Sequence, residues 1–145
     1  MDLTGFTIRE INQGLKKKEF SAVELAKSYL NRIEKTDKDI NAFLTITPEL
    51  AVSQAKEIDD KIKKSEEIPI LAGVPCAIKD NILVEDIRCT AASKILENYT
   101  APYDATVIEK LKKQGTVILG KTNMDEFAMG ASGENSGFLP TKNPN

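Results

Sequence analysis

Lys79 occupies the position in this sequence that is best suited to chemistry. It directly follows an apolar run, residues 74–78, within the stretch GVPCAIKDNI. The run has no polar alternation, which predicts a short strand buried on both faces. A strand end often carries only a solvated charge, but ligand sites in α/β sheets also favour strand ends. Burial there would lower the pKa of a lysine, since the charged form loses hydration, and a neutral lysine can act as a general base.

The sequence contains no histidine, which narrows the possible chemistry further. Ser-His-Asp catalysis, Cys-His catalysis and histidine-based zinc sites are therefore excluded within it. The two cysteines, Cys76 and Cys89, are too few for a thiolate cage, so no metal site is predicted. Their spacing indicates reduced thiols in a cytoplasmic protein, and the apolar neighbours of Cys76 predict a small core residue.

A second lysine, Lys121, lies in a match to the phosphate-binding pattern G-x-x-x-x-G-K-[ST]. Residues 115–122 read GTVILGKT. A phosphate-binding loop needs a strand before it and a helix N-terminus after it. Here the four middle residues favour a strand themselves, and a lysine-rich helix is predicted before them. The match is therefore interpreted as chance, and no nucleotide site is predicted.

The elements around these lysines predict a mixed α/β architecture. Residues 1–65 form a helical N-terminal segment, in which Thr7 and Ser21 each begin a capping-box pattern with a following glutamate. Thr47 before Pro48 predicts the cap of a further helix, with a short strand candidate just before it. Residues 66–145 then alternate strands and helices, which predicts the start of an α/β core. Because loop-like residues run to the end of the sequence, one incomplete domain is expected overall.

Three ordered blocks carry a resemblance to a known family. They are GVPCAIKDNI, CTAASKILENY at residues 89–99 and GKTNMDEFAMG at residues 120–130. Their order and spacing resemble the amidase signature family. The sequence of the third block is most similar to that of the A subunits of the glutamyl-tRNA(Gln) amidotransferases. The resemblance covers most of the sequence and implies that it holds the first strands and helices of the mixed-sheet amidase signature core.

The resemblance also implies a mechanism and a set of site residues. The family uses a Ser–cis-Ser–Lys triad, in which Lys79 matches the lysine. Met129, Gly130 and Ser132 match the loop that approaches the substrate pocket, although an ordinary polar turn is the alternative. Ser132 is given no nucleophilic role. The acidic and amide residues nearby, Asp80, Asn81 and Asp125, are interpreted as strand-end and cap partners rather than acid–base groups.

The family's serine-rich block, which carries both serines of the triad, is absent from this sequence and is expected to begin shortly after Asn145. The sequence is therefore expected to be truncated, inactive alone and, by itself, poorly soluble or partly disordered. Within a complete enzyme, the resemblance implies hydrolysis of glutamine to ammonia, which converts Glu-tRNA(Gln) to Gln-tRNA(Gln). It implies B and C subunits as partners, tRNA held indirectly through the partner subunit, and ATP and Mg at that partner, with no cofactor in this chain.

Composition agrees with these expectations. The net charge of −2 argues against a chain built mainly to grip nucleic acid or an anionic membrane. No signal peptide is predicted, and the location is expected to be cytoplasmic. Two alternatives stay open: a fragment of a stand-alone amidase acting on another amide, and a non-catalytic interaction module that docks through residues 1–65.

Overall fold

A computed structural model describes residues 3–144 and confirms the mixed α/β architecture. Its elements, in chain order, are α1 (Ile8–Lys17), α2 (Ala22–Ile40), β1 (Phe43–Ile46), α3 (Pro48–Lys63), β2 (Pro75–Lys79), α4 (Thr106–Lys113) and β3 (Val117–Thr122), with single 3-10 turns at Lys94–Leu96 and Glu126–Ala128. No helix within the described range is long and apolar enough to cross a membrane.

Both predicted capping boxes form, and they determine where the first two helices begin. The Thr7 hydroxyl accepts from the backbone N–H of Glu10, whose carboxylate accepts from the Thr7 N–H at 2.7 Å. Ser21 and Glu24 make the same reciprocal bonds at the start of α2. In each box the pKa of the glutamate is lowered. The main cause is the hydrogen bond from the backbone N–H, and the second is the hydrogen bond from the hydroxyl.

The start of α3 differs from its prediction. Thr47 occupies the N-cap position and Pro48 the first helical position, but the Thr47 side chain makes no capping bond. Its hydroxyl instead donates to the carbonyl of Ile118 at 3.2 Å. Because Thr47 is buried next to β3, its hydroxyl has a strand carbonyl within reach, and that contact replaces the local cap.

The three strands form one sheet in the order β1-β3-β2. β1 pairs with β3 antiparallel, with Phe43 opposite Thr122. β2 and β3 run in the same direction, since Val117 N donates to Val74 O and, further along both, Asp80 N donates to Thr122 O. The sheet is therefore mixed, and β3 is its central strand.

Glycine is required at one point in the central strand. A Cβ at Gly120 would lie 2.3 Å from the carbonyl oxygen of Thr45 in β1. The pairing of β1 with β3 shifts register between Phe43 and Thr45, which brings the two backbones close there. The glycine that precedes Lys121 in the phosphate-loop-like pattern is therefore explained by strand pairing, without any bound phosphate.

The prediction that β2 is buried on both faces was wrong. Ile78 is buried, whereas Ala77 and Lys79 on either side of it are exposed. β3, by contrast, is buried from Val117 through Lys121, as expected for a strand covered on both faces. β2 lies at the edge of the sheet, and within residues 3–144 the face that carries Ala77 and Lys79 is left open to solvent.

The described residues divide into two compact units, each built from several separate segments of the chain. The first comprises Met1–Glu34, Thr47–Cys76 and Lys110–Leu119, and the second comprises Lys35–Ile46, Ala77–Glu109 and Gly120–Asn145. The first unit has its own core, which includes Leu15, Leu25 and Ile58, and the core of the second includes Val84 and Ile108. The division into segments 1–65 and 66–145 stays a prediction about domains.

Candidate active site

Lys79 is the last residue of β2, and its side chain is exposed. The strand ends in a turn, in which the N–H of Ile82 donates to the carbonyl of Lys79 at 2.9 Å. The buried setting expected for Lys79 is therefore not provided by residues 3–144. The fully buried lysine of this region is Lys121, in the neighbouring strand.

Asp80 and Lys121 form a buried ion pair directly beside the end of β2. Both side chains are 0% exposed, and Asp80 Oδ1 lies 3.4 Å from Lys121 Nζ. Asp80 is thus a strand-end partner, as predicted, but its own partner lies in the motif that was interpreted as chance. Lys121 lies inside β3, and its side chain points to the Asp80 carboxylate. It therefore does not have the geometry of a lysine in a phosphate-binding loop.

The other carboxylate oxygen of Asp80 holds the segment at residues 89–92. Asp80 Oδ2 accepts from the backbone N–H of Thr90 at 2.9 Å, from the Thr90 hydroxyl and from the N–H of Ala92 at 3.5 Å. The carbonyl of Asp80 accepts from the N–H of Ala91 at 3.1 Å. A single residue therefore supplies most of the acceptors that this turn needs. These bonds matter because a buried N–H without a partner is costly.

Ala91 and Ala92 both adopt left-handed backbone conformations, with φ of 49° and 55°. Such conformations are costly for residues with a Cβ and persist only where surrounding contacts hold them. Here the carbonyls of Ala91 and Ala92 accept from the N–H groups of Phe127 at 2.9 Å and Gly137 at 2.7 Å. The turn thus joins the Asp80 side chain to the loop that follows β3.

A buried serine fastens the same two segments. Ser93 is 0% exposed, and its hydroxyl donates to Glu126 Oε1 at 2.5 Å. A hydroxyl that donates to a carboxylate belongs to a strong class of hydrogen bond. Neither residue was predicted to belong to the site, and in the sequence both were visible only as parts of two resembling blocks.

Asp125 organises the loop in which the predicted substrate-binding residues lie. Its carboxylate accepts from the backbone N–H groups of Asn135 at 2.9 Å and Gly133 at 3.0 Å. These two bonds, in that order, are the main causes that lower the pKa of Asp125, and the positive charge of Lys79 lowers that pKa further. Asp125 precedes the Glu126–Ala128 turn but makes no side-chain cap, so its predicted role as a cap is wrong.

Met129, Gly130 and Ser132 lie in this loop and are all exposed. Met129 is 76% exposed. A Cβ at Gly130 would lie 2.4 Å from Asp125 Cγ, so glycine is the residue that allows the chain to pass close to this carboxylate. The Ser132 hydroxyl donates to Glu134 Oε2 at 2.9 Å. Through Asp125, the loop is linked electrostatically to Lys79, and its role in binding a substrate stays a prediction.

The two cysteines differ in burial: Cys89 is buried, whereas Cys76, which was predicted to be a small core residue, is only half-buried. The Sγ of Cys89 donates to the carbonyl of Asp80 at 3.0 Å. Burial raises the pKa of both thiols, and for Cys89 the charge of Lys121 partly opposes that effect. Raised pKa values disfavour the thiolate, which is the reactive form. Within residues 3–144 no group of three or more metal-binding side chains is present.

Comparison with known proteins decides the family. A model of the Amidase family matches residues 24–145, which is most of the chain. The chain belongs to the amidase family. The predicted resemblance is therefore confirmed, and the site described above lies in the part of the chain that the amidase model matches.

Among curated amidase-family relatives, the A subunit of the glutamyl-tRNA(Gln) amidotransferase from Carboxydothermus hydrogenoformans is 55% identical over 144 residues, which is 99% of this chain and 30% of that protein. The crystal structure of the corresponding protein from Thermotoga maritima matches with a TM-score of 0.78 and 36% identity, over 99% of this chain and 28% of that one. A structure from a vestigial complex, related to the origins of an s-triazine catabolic enzyme, matches with a TM-score of 0.92 and 38% identity, over 96% of this chain and 31% of that one.

This amidase-family chain thus spans about 30% of the length of the curated relatives it matches. The matched region includes all three resembling blocks, since the alignments run over 144 residues.

Proposed function

We propose that this chain is the N-terminal part of the A subunit of a glutamine-hydrolysing amidotransferase. The observation that carries the proposal is the combination of 55% identity to such a subunit over 144 residues with an exposed lysine at the end of β2. The exposed face of β2 leaves Lys79 accessible to groups supplied by the remainder of a longer relative. Lys79 is the proposed general base.

The proposed chemistry needs two serines besides Lys79. A serine hydroxyl is a weak nucleophile and requires an adjacent base. In the proposed reaction the nucleophilic serine attacks the side-chain amide carbon of glutamine, and its proton passes through the second serine to unprotonated Lys79. The C–N bond breaks, the proton returns to the leaving nitrogen, and ammonia departs. Water then hydrolyses the glutamyl ester to glutamate and regenerates the serine.

The residues of this chain contribute orientation as well as the base. Lys79 is held at the strand end by the turn to Ile82, and Asp125 places a carboxylate in its electrostatic field. The proposed substrate loop, with Met129, Gly130 and Ser132, is anchored by that same carboxylate. The two serines are proposed to come from a part of the protein outside this chain. Ser132 is already engaged with Glu134 and is proposed to line the pocket.

The wider assembly is proposed by analogy with the named relatives. Ammonia would pass to a partner subunit that amidates Glu-tRNA(Gln), with B and C subunits as the partners. ATP and Mg would be bound by that partner, and tRNA would contact this chain only indirectly. The net charge of −2 is consistent with a chain that does not itself grip a polyanion.

The test is glutamine hydrolysis by the complete subunit in complex with its partners, with ammonia release as the readout. Lys79→Ala and Lys79→Arg should both abolish turnover, since arginine stays protonated and cannot accept the proton. Lys94→Ala is the matched control, because Lys94 is also an exposed lysine of the second unit. Turnover by Lys79→Ala at the parent rate would refute the role of Lys79.

A stand-alone amidase is the second candidate. It is favoured by one observation, the TM-score of 0.90, at 27% identity, to the structure of a peptide amidase against 0.78 to an amidotransferase subunit. Co-purification of the complete gene product decides between them. B and C subunits should accompany an amidotransferase subunit, whereas a stand-alone amidase should purify alone and hydrolyse other amides.

A further inference from the structure

The buried Asp80–Lys121 pair lies one residue from Lys79 and takes no part in the proposed chemistry. Its two side chains are 0% exposed, with 3.4 Å between Asp80 Oδ1 and Lys121 Nζ. Neither of these two atoms makes a hydrogen bond in the described part of the chain. Removing two charges from water is costly, and a buried ion pair is often no more stable than apolar residues of the same volume. Stability alone therefore gives little reason for this pair.

The pair joins the three segments that meet at the end of β2. Lys121 belongs to β3, and the N–H of Asp80 donates to Thr122 O at 3.1 Å in that same strand. The Asp80 carboxylate then holds the turn at residues 89–92 through Thr90 and Ala92. Because Asp80 directly follows Lys79 in the chain, the contacts that hold its N–H and its carboxylate also restrain the backbone that carries the Lys79 side chain.

The charges are what make this junction specific. Lys121 Nζ lies against one oxygen of Asp80, which leaves Oδ2 directed at Thr90. The Thr90 hydroxyl and N–H both donate to that oxygen. Hydrogen bonds to an ionised acceptor are roughly twice as strong as those between neutral groups. A neutral side chain of the same shape would keep the volume filled but would hold the strand end less firmly.

We propose that the Asp80–Lys121 pair is the positioning device of the active site, which fixes the backbone of Lys79 for proton transfer. This inference rests on the proposed function, in which Lys79 is the base. Asp80 and Lys121 are positioning residues: they act through Lys79 and touch neither glutamine nor the reacting serines. Proton transfer requires correct placement, and a misplacement of about 1 Å can lower a rate by about 100-fold.

The experiment compares charge removal with a matched loss of stability, in the complete amidase subunit with its partners. The double variant Asp80→Asn/Lys121→Met removes both charges and keeps the shape of the side chains. Val84→Ala is the control, because Val84 is a fully buried core residue of the same unit. Thr90→Val removes one donor to Asp80 without removing a charge. Readouts are kcat, KM, melting temperature and hydrogen exchange by mass spectrometry.

The double variant is expected to lower kcat by about 100-fold with KM within about threefold of the parent. Exchange should become faster at residues 79–82 and 89–92. Thr90→Val should lower kcat by a smaller factor, and Val84→Ala should lower the melting temperature and leave kcat unchanged.

Three results would overturn the proposal. The first is a double variant with parental kcat. The second applies if the double variant does not fold, and is a Thr90→Val variant with parental kcat. The third is a fall in kcat for Val84→Ala as large as that for the double variant. A parent enzyme without glutamine hydrolysis would refute the proposed function instead. Hydrogen exchange would then still decide whether the pair holds the strand end, and unchanged exchange at residues 79–82 would overturn that as well.

Discussion

Removing only Lys121 should expose the energetic asymmetry of the buried ion pair. Lys121→Met keeps an unbranched side chain of similar length but leaves Asp80 as a buried carboxylate without a cation. Thr90 and Ala92 still donate to it, so it is not completely unpaired. Removal of one partner of a buried pair typically costs about 3–5 kcal/mol. Since two kinds of donor remain, we expect the lower part of that range, about 3 kcal/mol.

The double variant should recover most of this loss. With Asp80→Asn in addition, no charge remains inside, and replacing a whole buried pair by neutral groups is often neutral or stabilising. The coupling energy between the two substitutions should therefore be about 2–3 kcal/mol, which is within the range seen for residues in direct contact. That sign, in which the second substitution repairs the first, distinguishes an ion pair from two independent packing sites.

Urea unfolding of the dilute chain measures this cycle. With a slope of about 2 kcal/mol per molar urea, a loss of about 3 kcal/mol lowers the midpoint by about 1.5 M. The difference should persist in about 1 M salt, because a fully buried pair is screened little. A Lys121→Met midpoint within about 0.2 M of the parent (about 0.4 kcal/mol), or two substitutions that simply add, would refute the reasoning.

Three further outcomes are expected. Asp125→Asn should destabilise the chain at neutral pH. Since the pKa of Asp125 is lowered in the folded state, its contribution to stability is complete above the unfolded pKa and disappears as pH falls through the folded pKa. The melting curves of parent and variant should therefore converge in acid. Gly137→Ala should cost about 1–3 kcal/mol, because a Cβ there would lie 2.6 Å from Ala92 O, whereas Gly5→Ala, with nothing within 4 Å, should have little effect on the urea midpoint. The 145-residue chain alone should release no ammonia from glutamine and should aggregate on concentration, and turnover above background would contradict the proposed origin of the serines.

Local features of the fold were predictable from sequence because they depend on neighbouring residues. The capping boxes at Thr7 and Ser21 involve groups only three residues apart, so the sequence pattern alone is enough to predict their hydrogen bonds. The central strand was predicted from a continuous apolar run, which Val117, Ile118 and Leu119 provide. Lys79 at a strand end followed from the same kind of pattern.

Features that depend on distant partners were not predictable in this way. Lys121 is completely buried, yet a lysine next to a glycine gives no sign that a carboxylate lies opposite it. Lys79 was expected to be buried but is exposed. An apolar run predicts a strand, but it does not reveal whether a second layer covers that strand. Thr47 matched a cap by type and position, but a carbonyl of β3 was a better partner for its hydroxyl.

The ion pair also limits how this part of the chain can change during evolution. A substitution at Asp80 or at Lys121 alone leaves a charge in a dry interior, whereas a simultaneous exchange of both can restore neutrality. Intermediates between the two states would be selected against for their loss of folded protein. Positions 80 and 121 should therefore either stay fixed or change together across the amidase family, and drift at one of them would mark lineages in which this region has taken up a different arrangement.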